Sequence, residues 1–139
     1  MKYHQTPITV RFNEVDAYQV AWHGHYVAWM EIGRNDLAGR FDLNATQIAA
    51  LGYLAPVVAL DLQFKKPLRF GEEVQVQTTV QRAETATLEF HCRIVGADGT
   101  VAATGRTVHV LTGTDGELQY TLPPVIGERL GRLMAYLEV

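Results

Sequence analysis

An α+β domain, in which an antiparallel sheet of five strands curls around one long central helix, is the fold class that this sequence predicts on three observations. The first is the stretch Glu14–Asp36, where from His25 onwards Tyr26, Val27, Ala28, Trp29, Met30, Ile32, Leu37 and Ala38 occupy nearly every angle of a helical wheel. A helix apolar on all sides belongs in the middle of a protein. Glu31, Arg34 and Asp36 interrupt the run well before the length a bilayer requires, so a soluble structure must wrap it. The second is a change of period after Pro56, from helical to strictly alternating. The third is the order that results: strand, buried helix, short helix, four strands, closing helix.

Taken in order, Ile8, Val10 and Phe12 alternate with Thr9, Arg11 and Asn13, the pattern of a strand with one face on a core. A turn over Glu14–Gln19 leads into the long helix, expected to begin between Trp22 and His25 and to fade around Gly39. Asn44 can cap a shorter helix, with Gln47 placed to complete a capping box and Gly52 to end it in a left-handed conformation. Val58, Leu60, Leu62 and Phe64 then alternate with polar or small residues, as do Val74, Val76, Thr78 and Val80, and again Leu88, Phe90, Cys92 and Ile94. The turn Gly96-Ala97-Asp98-Gly99 opens a last strand from Thr100 to Leu111. Its Ala102, Ala103 and Gly105 require something to approach the backbone closely, and the long helix is the obvious candidate. After Pro123-Pro124 a closing helix presents Val125, Ile126, Leu130, Leu133, Met134 and Leu137 on one side. A sheet cannot cover every side of a helix, so the remainder, with an exposed sheet edge, predicts at least a two-fold homodimer and, by extension, a homotetramer.

The 139 residues fit one domain and one core. A net charge of -3 gives no basic field for nucleic acid. The N-terminus lacks the parts of a signal peptide and no run suits a membrane span, which makes the cytoplasm the expected location. Cys92 is the single cysteine, so no internal disulfide can form. There is no serine at all, which excludes every serine-nucleophile mechanism.

At Asp16–Tyr26 the pattern D-A-x-x-V-x-W-H-x-x-Y resembles the hotdog-fold acyl-CoA thioesterases, in particular the 4-hydroxybenzoyl-CoA thioesterase-like family and its short-chain branch associated with the Tol-Pal system. Element order agrees over essentially the whole chain, and Phe64-Lys65-Lys66-Pro67-Leu68-Arg69-Phe70-Gly71-Glu72 looks like that family's strand-turn segment. The resemblance implies hydrolysis of an acyl- or aroyl-CoA, a catalytic Asp16 with His23 beside it, an active site at a dimer interface, and no cofactor beyond the coenzyme A of the substrate. The sequence departs from the family where Val15-Asp16-Ala17-Tyr18-Gln19 replaces the usual Thr-Asp-x-x-Gly, which bears on turn geometry, and where Glu14 replaces a frequent aspartate.

A carboxylate can attack a thioester carbonyl or draw a proton from water while backbone N–H groups hold the oxyanion. Asp16 is the candidate carboxylate; its structural alternative is a turn cap. The N–H groups of Trp22, His23, Gly24 and His25, at the positive end of the helix dipole, are the candidate oxyanion donors. His23 can orient Asp16 or the thioester, or stay a neutral hydrogen-bond partner. His23 and His25 do not suggest a metal, because residues two apart on a helix point in nearly opposite directions. Glu31 is the secondary catalytic candidate, with an i,i+3 salt bridge to Arg34 as the favoured alternative. Trp22, Tyr26 and Met30 are expected to line the acyl pocket, or to be simple core. Lys65, Lys66 and Arg69 could meet the phosphates of coenzyme A, though basic residues beside a turn are usually only solvated. Cys92 shares the alternating apolar face and reads as a buried small hydrophobe. The competing functions are a thioesterase for acyl groups on acyl carrier protein, a non-catalytic acyl-CoA-binding module, and, last, a dehydratase.

Overall fold

The computed structural model describes residues 2–82 and 85–138. The alternating segments form β1 (His4–Thr9), β3 (Val57–Phe64), β4 (Glu73–Arg82), β5 (Leu88–Val95) and β6 (Val101–His109), and the two-residue strands β2 (Tyr53–Leu54) and β7 (Thr112–Gly113) pair with each other. The helices are α1 (His25–Gly39), α2 (Ala45–Ala50) and α3 (Pro124–Glu138). The five long strands make one sheet in the order β1-β4-β5-β6-β3, every neighbouring pair antiparallel. Asn44 and Gln47 form the expected capping box, and Gly52 stands at φ +90° just beyond the helix they start.

α1 lies on the inner face of this sheet and divides the core in two. Tyr26, Trp29 and Met30 pack with Val74, Val76, Cys92, Ile94, Ala102 and Ala103. Leu37 and Ala38 join a second cluster with α2 and with Ile126, Leu130, Leu133 and Leu137 of α3. The small residue in β6 has the expected cause: a Cβ at Gly105 would stand 2.6 Å from Met30 Cε. Gly33 makes a second close approach that the periodicity did not flag. A Cβ there would stand 2.5 Å from Val76 Cγ1 and 2.7 Å from Thr78 Oγ1.

Two expectations need correction. Strand one is displaced towards the N-terminus: β1 ends at Thr9, and Phe12–Glu14 is a 3₁₀ turn with Phe12 76% exposed. Val10 keeps its buried place, but the chain must turn there so that its carbonyl can accept from Gly71 and its N–H can donate to Glu72. β3 does not bury an alternating face: Val57, Val58, Leu60 and Phe64 are all exposed, because β3 is an edge strand that meets α1 only through Leu62 and Phe64. α1 has the uncovered remainder expected of it in a single chain, since Val27 and Ile32 remain open to solvent.

Candidate active site

The loop carrying Asp16 is held from both ends. Val15 and Ala21 bridge across it, Asp16 N–H donates to the Val20 carbonyl at 3.0 Å and Gln19 N–H donates to the Asp16 carbonyl at 2.9 Å. Gln19 sits at φ +61°, the left-handed conformation for which glycine is the usual residue. The turn geometry is therefore kept although its glycine is not. Asp16 Oδ1 accepts the N–H of Tyr18 at 2.8 Å, an Asx turn that fixes one carboxylate oxygen and leaves the other without a protein donor among the described residues.

Glu14, which stands where the family frequently has aspartate, is the anchor of this loop. Its side chain is buried and accepts the Arg11 N–H at 2.8 Å and the Trp29 indole N–H at 2.9 Å. Burial opposes the charge, but these two hydrogen bonds and the charges of Arg11 and His25 outweigh it and hold the Glu14 carboxyl below the usual carboxylate range. Its carbonyl accepts the N–H of Trp22 at 2.9 Å, so one residue ties the loop to both the start and the interior of α1. A carboxylate fifteen residues before a tryptophan carries no local sequence signal; only the fold brings the two together.

The start of α1 has few spare donors. Trp22 N–H is engaged by Glu14, His25 N–H by the Trp22 carbonyl at 3.0 Å and Tyr26 N–H by the His23 carbonyl. Of the four expected oxyanion donors, Trp22 and His25 are thus committed, while His23 and Gly24 have N–H groups without a partner among the described residues. The Trp22 ring lies so close over Gly24 that a Cβ there would stand 2.1 Å from Cζ3. The same indole contacts the rings of His23, at 4.9 Å between centroids, and His25, at 5.5 Å.

Asp16, His23, Tyr26, Phe64, Lys65 and Lys66 line one open pocket of about 420 Å³. Phe64, whose ring meets the edge of Tyr26 at 5.0 Å, is a lining residue not singled out in the sequence; its exposure at the end of an apolar strand marks it. Lys66 is paired with Asp98, which with the Thr100 N–H holds that carboxyl down at about 2. Four expected members stand apart. Trp22 does not line this pocket, because its ring lies over Gly24 and against His23 and His25. Arg69 does not line this pocket. Met30 is core, pressed on Gly105, because α1 turns it towards the sheet. Glu31 is also outside, 60% exposed and 3.5 Å from Arg34, the pairing favoured over catalysis. Burial pushes the Cys92 thiol up to about 11, which fits a packing role.

The pattern of the thioesterase-like superfamily matches residues 10–130. The acyl-CoA thioester hydrolase YbgC of Escherichia coli is 25% identical over 95 residues, 68% of this chain and 71% of its own. The DHNA-CoA thioesterase of Staphylococcus aureus superposes with a TM-score of 0.86 at 27% identity, over 97% of this chain and 93% of that one. A hypothetical protein from Thermus thermophilus, TT1821, superposes with a TM-score of 0.83 at 34% identity, over 93% and 98%.

Proposed function

We propose, from the premise that this chain belongs to the thioesterase-like superfamily and has its hotdog fold, that it hydrolyses the thioester of an acyl- or aroyl-CoA to the free acid and coenzyme A, with Asp16 as the catalytic carboxylate. One observation supports the assignment: Asp16 and His23 line the same open pocket, next in the chain to the unspent N–H groups at the start of α1. In one route the free Asp16 oxygen attacks the thioester carbon, expelling the thiolate and leaving a mixed anhydride that water cleaves. In the other it takes a proton from water, which attacks the same carbon. Either route places negative charge on the thioester oxygen, where the His23 and Gly24 N–H groups and the helix dipole stabilise it. Tyr26 and Phe64 offer an apolar wall to the acyl group, and Lys65 is the cation left for the phosphates once Asp98 has taken Lys66. That pairing also weakens the case for an acidic carrier protein as the partner.

The exposed apolar edge of β3 and the open flank of α1 at Val27 and Ile32 are the surfaces proposed for the second protomer. Sedimentation at micromolar concentration should show no monomer, and a monomer would reject the assembly. Cytoplasmic location is part of the same proposal, in keeping with one buried, unpaired cysteine.

The test is a panel of short, long and aromatic acyl-CoAs followed by free-thiol release, run on the parent and on Asp16→Asn. Asparagine keeps the size and much of the hydrogen bonding but removes the charge, and loss of a general base costs about a hundredfold or more. A folded Asp16→Asn that turns over its best substrate within about threefold of the parent rejects the role of Asp16, and turnover by neither protein rejects the function.

A further inference from the structure

A second cavity, of about 100 Å³ inside and about 630 Å³ with its open mouth, lies between the C-terminal half of α1, α2, β5 and α3, and it shares no lining residue with the Asp16 pocket. From Tyr26 to Arg34 the helix rises by about 12 Å, so the two openings belong to opposite ends of α1. Ile48, Leu54, Leu88, Phe90, Leu130 and Leu133 make most of its wall.

The polar groups in this wall are unequal. His109 is spoken for: its Nδ1 donates to the Ala55 carbonyl at 2.9 Å, which leaves Nε2 to accept the Thr107 hydroxyl at 3.0 Å. Burial, against the Ala55 bond, and the nearby Arg34 charge keep its pKa low, so it stays neutral and offers no second donor. Arg34 is the opposite case. Its side chain is only 17% exposed, its single ionic neighbour Glu31 stands 3.5 Å away in solvent, and no acceptor hydrogen-bonds its five N–H donors among the described residues. No aspartate or glutamate lines the cavity. A guanidinium mostly covered by protein, in an apolar wall with no carboxylate of its own, presents its donors at the cavity, and a planar carboxylate is the group that takes two of them at once.

We infer that this cavity is a binding site for a monocarboxylate with an apolar body, medium-chain or arylalkyl, held with its carboxylate on Arg34 and its tail among Ile48, Leu130 and Leu133. The ligand class is that of the acid the proposed reaction releases, but the binding does not depend on that reaction.

Octanoate is the probe, octanol its uncharged counterpart, and methyl-resolved NMR the readout, so no thioester and no turnover enter. Saturable octanoate shifts at Ile48, Leu130 and Leu133, with affinity at least tenfold above that of octanol, are expected. Arg34→Met, which keeps an apolar stem of similar length, should lose at least tenfold. Equal binding of octanol, shifts centred on Tyr26 and Phe64, an unchanged affinity in Arg34→Met, or no saturation at millimolar octanoate would each overturn the proposal. The octanoate and octanol comparison is made on the parent protein, so it decides the matter even where the variant does not fold.

Discussion

Replacing Glu14 by glutamine tests whether the Asp16 loop is held as described. The carboxylate receives the Arg11 N–H and the buried Trp29 indole N–H, one on each oxygen. Hydrogen bonds to a charged partner contribute about 1.5–3 kcal/mol each, and glutamine can keep one acceptor while turning an NH₂ group towards the other donor. A loss of about 2–3 kcal/mol is expected, against a total of about 5–15 for a domain of this kind, so the variant should fold. Urea unfolding measures it, and a cycle with Trp29→Phe isolates the pair: once the indole donor is gone, the penalty for Glu14→Gln should shrink by about 1 kcal/mol or more. The pH dependence has a definite sign. The Glu14 carboxyl is depressed in the folded state from its ordinary 4.5, so its contribution is complete above that value and is lost as pH falls through the lower native one. Asp36 behaves alike from its ordinary 3.8: burial opposes its charge, but hydrogen bonds from Thr6 and His4 prevail. A penalty under about 0.5 kcal/mol, or a cycle without coupling, refutes the anchoring role.

Two further substitutions probe the backbone. Gln19→Gly should stabilise by about 0.5–1 kcal/mol, because relief of the left-handed strain at φ +61° exceeds the added freedom of the unfolded chain; destabilisation in urea would contradict the turn geometry. Gly33→Ala should destabilise by about 1–2 kcal/mol although alanine is the better helix former, since its Cβ would press on Val76 and Thr78; a stabilised variant would show that α1 stands further from β4.

What the sequence made legible follows the reach of each signal. Period two and turn chemistry are local, so β4, β5, β6, the capping box at Asn44 and the close approach at Gly105 were all readable from neighbours in the chain. β3 misled because its pattern is that of a buried strand while its place is at the sheet edge, and an edge is a property of topology that no window of residues contains. Val10 misled in the other direction: it is buried, as its alternation implies, but by a turn rather than by a ladder.

The site divides along the same line. Asp16, His23 and Tyr26 come together because they surround one helix start, and a helix start is visible in sequence. Glu14, Phe64 and Arg34 were misjudged or missed because each acts across the fold, on Trp29, on Tyr26 and on a cavity closed by α3. Arg34 shows why: as the i+3 partner of Glu31 it looks satisfied on a helical wheel, yet the wheel does not say which partner stays in water. Glu31 does, and a pairing so solvated contributes little to holding a guanidinium that the fold mostly covers.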